Sequence, residues 1–508
     1  MEHFKTHSEG MRQLLELAIC CGRGWQSPQT GYIHYFYSQQ DESYHHPIPT
    51  YENMLFILAL FRSRIVENIN EGKDLLKKLL RFQSIEKGME GNFPVYLHDY
   101  PLCKDSLCGA QIVVPLYWIY KNFNHILGTE LKDAVKNSLI SLQTYCLSRI
   151  QEKSAPFPIA MKIAAGALSV GQMFENETFL KKGEILFNDL VNQSDQTAWN
   201  SPIALSELII AFQMLSPSLS ENPQLKGFWN HLLATWHPDI GAYCGPGWKE
   251  YEWRKEPQVT FYDYFMGYLS SSYSQRCFAD HPIQLQAALV HPSDDRIPSI
   301  ESKTIAKPEE YEGMIRGLPW KFVKHPNLVF SLLAKDNSIF EVQEKAFIPL
   351  KILWNTSQRL RSFVCQGGCF EKIDFKITKS GKENEIEMYF YFKEVEEGGV
   401  NERMENDDEI GFYLDYHEDT KIAVEKMPAN TFKLDEEITF EDENVTIALC
   451  FSLHEGDGSF LGHLIKGNRP CQRATTGANR FAAYDWHVFL RTIQRSEVCT
   501  IKATLRMV

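Results

Sequence analysis

Two spacings of apolar residues divide this chain. Up to about residue 280 the spacing is helical. Residues 51–67 (YENMLFILALFRSRIVE) are apolar on nearly every side over their first eleven positions, which predicts a helix buried all round. Residues 72–83 (GKDLLKKLLRFQ) instead gather Leu75, Leu76, Leu79 and Leu80 on one stripe with lysine opposite, as on a surface helix. The alternation repeats. Residues 110–121, 159–174 and 203–215 read as buried, and 130–150, 178–192 and 223–236 as amphipathic. Helices at 10–21 and 261–272 add a further pair. Four or five inner and outer hairpins in succession predict an N-terminal α/α toroid of helical hairpins or a curved helical solenoid.

From about residue 283 the period becomes two. Val445, Ile447, Leu449, Phe451 and Leu453 alternate with small or polar residues, as do Ile386, Met388, Phe390 and Phe392. Ile501, Ala503, Leu505 and Met507 repeat the pattern. Many short half-buried strands with turn residues between them predict a C-terminal antiparallel β-sandwich. The seam holds Pro282, Pro292, Pro298 and Pro308, so the expected division is 1–278 toroid, 279–310 linker or crossing, and 311–508 sandwich.

Composition narrows the function classes. Net charge is −13, with 52 Lys plus Arg against 65 Asp plus Glu, which argues against nucleic acid as a partner because a phosphate backbone needs a basic face. The apolar runs read as too short for a membrane span; Met54 to Phe61 is eight residues. The first residues lack the apolar core and cleavage site of an export signal, so twelve scattered cysteines are expected as reduced, mostly buried thiols of a cytoplasmic protein. Cys365 with Cys369, and Cys103 with Cys108, lack the companions of a structural zinc site, and no metal or cofactor is expected. Residues 394–409 carry eight acidic side chains in sixteen and read as a solvated loop. Residues 454–470, with Gly456, Gly458 and Gly462, follow a period-two strand and read as a hairpin turn.

Candidate chemistry concentrates in loops. If inner and outer helices alternate, loops 22–50, 84–109, 151–158, 193–202 and 237–260 all enter inner helices and share one end of the toroid. That end has free backbone N–H groups and the positive ends of the helix dipoles. Trp25, His98, Asp99, Trp199, Asn200, His237, Trp248, Tyr251 and Arg254 all lie there. From Trp229 to Tyr273 there are 12 aromatics in 45 residues, about twice the chain's 13%. Flat faces among Asn, Asp, Arg and His suit sugar rings, whose apolar C–H faces are rimmed by hydroxyls. The same residues also have structural uses: aromatics seal seams between helices, Asn200 can cap the next helix, and Arg254 can pair with Glu250 or Glu256.

A helical toroid followed by an antiparallel sandwich resembles the polysaccharide lyases of the heparinase, alginate-lyase and chondroitin-lyase type. The resemblance lies in domain order and loop chemistry and covers most of the chain. It implies β-elimination on an acidic oligo- or polysaccharide that contains uronic acid. The C5 proton of a uronate becomes acidic only when the neighbouring carboxylate is neutralised, so Asn200 and Arg254 would form the clamp. His98 would take the proton, with Tyr251 as acid or alternative base. Trp25, Trp199 and Trp248 would be stacking platforms, and Asp99 and His237 would complete the substrate-binding set. Two other readings stay open: glycoside hydrolysis by Asp99 paired with Asp239, Glu250, Glu252 or Asp263, and glycan binding without catalysis.

Overall fold

In a computed structural model of the chain, the residues described are 2–35, 47–152, 155–192, 200–215, 223–248, 260–269, 282–290, 305–339, 347–356, 360–365, 370–380, 383–393, 409–415, 420–443, 445–470 and 484–507. They fall into two compact units. The first comprises 1–194, 203–233 and 260–301, and the second 195–202, 234–259 and 302–508.

The first unit is helical: α1 (Glu2–Trp25), α2 (Thr50–Arg62), α3 (Val66–Leu79), α4 (Cys108–Phe123), α5 (Thr129–Glu152), α6 (Phe157–Phe174), α7 (Glu177–Asn192), α8 (Pro202–Met214), α9 (Pro223–Ala234) and α10 (Phe261–Leu269). Every residue of α2 is buried, and α4, α6 and α10 are buried over most of their length. By contrast, α3 buries only Gly72, Leu75, Leu76 and Leu79, and α7 only Phe179, Gly183, Phe187 and Leu190. Inner and outer helices therefore alternate as the apolar spacing predicts. Hairpins α2–α3, α4–α5 and α6–α7 pack side by side through α2, α4 and α6. The Ser169 hydroxyl donates to the Met214 carbonyl (2.5 Å), joining α6 to α8, and the Tyr262 amide donates to Ser206 Oγ (2.8 Å), joining α8 to α10. Helix α1 packs on both α10 and α2 and completes the ring. At eighteen residues α6 is long and apolar enough to cross a membrane, but 67% of that window is buried inside the protein, as an inner helix requires.

Residues 282–289, expected in the linker, form a buried 3₁₀ helix packed on α1, α2 and α10. Arg62 donates to the Val290 carbonyl at its end. The segment is drawn in because Leu285, Ala287, Ala288 and Leu289 have apolar surface to bury.

The second unit is an antiparallel sandwich. Among the described residues it has a nine-stranded sheet, from Thr431–Phe432 at one edge to Glu309–Ile315 at the other. A seven-stranded sheet runs from Lys421–Val424 to Lys335–Asp336. Alternation places Ile386, Met388 and Phe390, Ile447, Leu449 and Phe451, and Ile501, Ala503 and Leu505 in one core. There Phe363 stacks on Phe412 (5.3 Å) and Phe370 meets Phe390 edge-on (5.1 Å). The expected hairpin at 454–470 is instead a crossing. Thr446–Glu455 belongs to the smaller sheet and Gly458–Pro470 to the larger. Gly456 makes the turn at φ 82°, where a side chain would meet the Val498 carbonyl.

Candidate functional site

Within the helical unit, two of the loops that enter inner helices are joined. Pro49 bridges to Tyr96, the Thr50 amide donates to the Val95 carbonyl (2.9 Å), and the Leu97 amide donates to the Ile48 carbonyl (2.9 Å). This pairing holds His98 beside the start of α2. The His98 side chain is 47% exposed and its ring stacks on Tyr96 (5.4 Å between centroids, 10° between planes). Asp99 Oδ1 lies 3.9 Å from His98 Nε2, outside hydrogen-bond range, and pairs with Lys104 at 2.9 Å. Trp25, half-buried at the end of α1, meets Tyr35 edge-on (5.4 Å).

A polar cluster that sequence reasoning missed lies deeper, in the first two turns of the inner helices. The ammonium of Lys162, on α6, is wholly buried, ion-paired to Glu207 of α8 and hydrogen-bonded to the side-chain oxygen of Gln111 of α4. Gln111 Nε2 in turn donates to Glu207 Oε2 (3.2 Å). Three consecutive inner helices thus close a triangle, and the Glu207 side chain keeps 17% of its surface exposed. Burial pushes the Lys162 ammonium below its usual range, opposed by the Glu207 charge. Tyr51, in the first turn of α2, is driven well above the ordinary phenol range by burial, then by the Glu207 and Glu52 carboxylates. It stays a neutral hydroxyl, able to donate a hydrogen bond and ill-suited to act as a base. The signal was present in the sequence: each of these largely apolar helices carries one long polar or charged side chain close to its start.

Other expectations are corrected. His237 and Trp248 do not belong to a helical-unit loop, because segment 234–259 folds into the sandwich unit. Trp236–His237 pairs with Ala242–Tyr243, and Gly247–Trp248 pairs with Phe347–Ile348. Trp248 is 3% exposed within the sandwich core, and burial of so large an aromatic contributes about 2–3 kcal/mol, which favours this placement. His237 is wholly buried. Its Nδ1 accepts from the Ile240 amide (3.2 Å) and its Nε2 pairs with the His325 carbonyl (2.8 Å), so the ring is neutral with the proton on Nε2. Neither residue presents a face to a ligand.

Of the carboxylates weighed for hydrolysis, Asp263 is fully buried and accepts from the Thr260 amide and hydroxyl (2.8 and 2.6 Å) at the start of α10. Asp239 lies in the second unit and accepts from the Ile305 amide (3.4 Å). Asn200 is buried just before α8, among the residues grouped with the second unit. Trp199, Glu250, Tyr251, Glu252 and Arg254 lie outside the described residues.

No protein-family model matches the chain, and no curated protein matches it. Among solved structures, a crystal structure of heparinase III superposes with a TM-score of 0.52 at 9% identity, covering 98% of this chain and 84% of that one. Another heparinase III covers 100% and 84% at 9% identity with a TM-score of 0.41. A chondroitinase AC lyase covers 99% and 82% at 8% identity with a TM-score of 0.42. At such identities the likeness is one of fold. Helical toroid first and antiparallel sandwich second, this chain has the architecture of heparinase III and so resembles the polysaccharide lyases in fold.

Proposed function

We propose that the chain is a carbohydrate-active protein that cleaves an acidic, uronate-containing oligo- or polysaccharide by β-elimination. The observation that carries this reading is the Lys162–Gln111–Glu207 triangle, set in the ring of a fold shared with heparinase III. A ring needed only for packing would keep its inner helices apolar, since a buried ion pair is rarely a net gain in stability. Glu207, which keeps part of its side chain exposed, supplies an acceptor for sugar hydroxyls.

In the reaction, Asn200 and Arg254 neutralise the uronate carboxylate, so that charge developing at C5 is stabilised. His98, with its accessible imidazole, takes the C5 proton. The C4–O bond breaks as the C4–C5 double bond forms, and Tyr251 returns a proton to the leaving oxygen. Trp25 and Trp199 provide stacking faces, and Asp99 fixes the loop around His98 through Lys104.

The test is to incubate the purified chain with heparan sulfate, chondroitin sulfate, hyaluronan and alginate and follow ultraviolet absorbance of unsaturated uronide products. Absorbance that grows with at least one polymer and is lost in His98→Ala is expected. Reducing ends released without absorbance would mean hydrolysis, and binding without cleavage of any polymer would mean a glycan-binding protein; either ends the elimination reading.

A further inference from the structure

We propose that the outer face of the seven-stranded sheet, in the second unit, carries a binding groove for an uncharged oligosaccharide. This inference stands on geometry within the sandwich alone and does not depend on the elimination reading.

The groove follows from strand alternation. On the strand Glu383–Tyr391, Ile386, Met388 and Phe390 turn into the core, which sends Tyr389 and Tyr391 to the opposite face. Two positions apart on one strand, they stand about 6–7 Å apart along it. Cross-strand register aligns Asp374, Tyr389 and Lys502 in one row, and Lys372, Tyr391 and Thr500 in the next. Tyr391 lines two recesses, of about 450 and 550 Å³, the first of which also touches Pro319, Ala334 and Phe375. His454 meets Tyr389 edge-on (4.9 Å) in the first recess, and Phe392 lines the second. Both tyrosines are half-buried, so each ring is held by its neighbours while part of it faces solvent.

The electrostatics choose the ligand class. Lys372 is paired with Asp374 (2.9 Å) and Lys502 with Glu387 (3.2 Å), and the Tyr389 hydroxyl donates to Glu387 (2.9 Å). Glu371 and Glu497 add negative charge to the second recess. The Arg495 guanidinium lies over the Phe392 ring (5.0 Å), but Asp374, Glu371 and Glu497 outnumber it and Lys372, so the balance is acidic and disfavours a phosphate, a sulfate or a uronate. What remains is the Tyr389 ring and the Tyr391 ring, the latter with the Lys372 ammonium over one face (5.5 Å), edged by hydrogen-bonding groups without net positive charge. That suits a neutral saccharide, with pyranose C–H faces on the tyrosines and hydroxyls on the paired charges.

Native affinity electrophoresis of the full chain, in gels containing hydroxyethylcellulose, xylan, glucomannan or soluble starch, tests the proposal. Heparan sulfate serves as the acidic comparison. The wild-type chain should be retarded by at least one neutral polymer. Retardation should weaken about tenfold or more in apparent affinity in Tyr389→Ala/Tyr391→Ala and persist in Tyr389→Phe/Tyr391→Phe, which keeps both rings. The single variant His454→Ala, at an exposed position, guards against misfolding of the double variant and should weaken retardation less. No retardation by any neutral polymer, or retardation unchanged in the double alanine variant, overturns the proposal. Because the readout is binding to neutral polymers, its failure is distinct from a failure to cleave acidic ones.

Discussion

Lys162 sits in a helix whose neighbouring residues, IAM before it and IAAGAL after it, contain no other polar side chain. Its ammonium is tolerable only because Glu207 and Gln111 reach it from two other helices. Lys162→Met should therefore lower stability by about 3–5 kcal/mol, because the carboxylate is left in the interior without its counter-charge. Lys162→Met/Glu207→Leu should recover most of that loss. Chemical denaturation of both variants decides it: equal midpoints for the single and the double would mean that the pair is not coupled. His237 gives a pH prediction. Burial is the main cause holding its imidazole at about 4, against an ordinary 6.5. The unfolded chain therefore binds a proton at a pH where the folded chain does not. The stability His237 contributes is complete above pH 6.5 and is lost as pH falls towards 4, roughly 3 kcal/mol in all. In His237→Gln this part of the pH dependence should vanish; a profile parallel to wild type between pH 7 and 4 would refute the assignment. Nothing local in the motif HPDIG announced burial, which depends on a carbonyl offered by His325 some ninety residues later.

At the scale of elements, inner and outer helices and the period-two strands were legible because burial of one face leaves a periodic trace. The alternations from Ile386 to Phe392, Val445 to Leu453 and Ile501 to Met507 form as strands Glu383–Tyr391, Thr446–Glu455 and Thr500–Met507. What periodicity does not record is which element lies beside which. Helix α1 illustrates this, since it closes the ring through glycines at two contacts. Gly10 lies against the Tyr268 carbonyl of α10, and Gly22 against the ring of Phe56 on α2, where an added Cβ would come within 2.1 Å of the ring. Phe56 is wholly buried and has nowhere to swing. Gly22→Ala should lower stability by about 1–3 kcal/mol through overpacking, despite its better helix propensity. The exposed neighbouring change Cys20→Ala should stay within about 0.5 kcal/mol of wild type. A thermal melt in which Gly22→Ala matches or exceeds wild type would show that α1 does not close the ring at this point.

The whole molecule is not cut where the composition changes. Segment 234–259 lies in sequence between two helices of the first unit and yet supplies Trp236, Tyr243 and Trp248 to the second. Lys324 donates to the Trp236 carbonyl (3.1 Å), Lys351 to the Tyr243 carbonyl (3.3 Å), and Ser331 to the Gly245 carbonyl (3.0 Å), all from buried side chains. A fragment spanning 302–508 would strip both ammonium groups of these backbone carbonyls and uncover a large apolar surface. It should therefore bind a hydrophobic dye and lack a cooperative near-ultraviolet melt, unlike the full chain. A fragment that melts cooperatively, at the temperature of the intact sandwich, would contradict that.

Helix or strand, inner or outer face, and the order toroid then sandwich were written in the local spacing of apolar residues, because desolvation acts on each element's own face whatever its neighbours. Three-dimensional contact alone decided the rest. It placed the aromatic stretch around His237 and Trp248 in a sandwich core, since those rings bury more surface among strands formed a hundred residues later. It also gathered Gln111, Lys162 and Glu207, single polar residues on three separate helices, into one ion-paired triangle, since a charge removed from water must find its partner wherever the fold brings one.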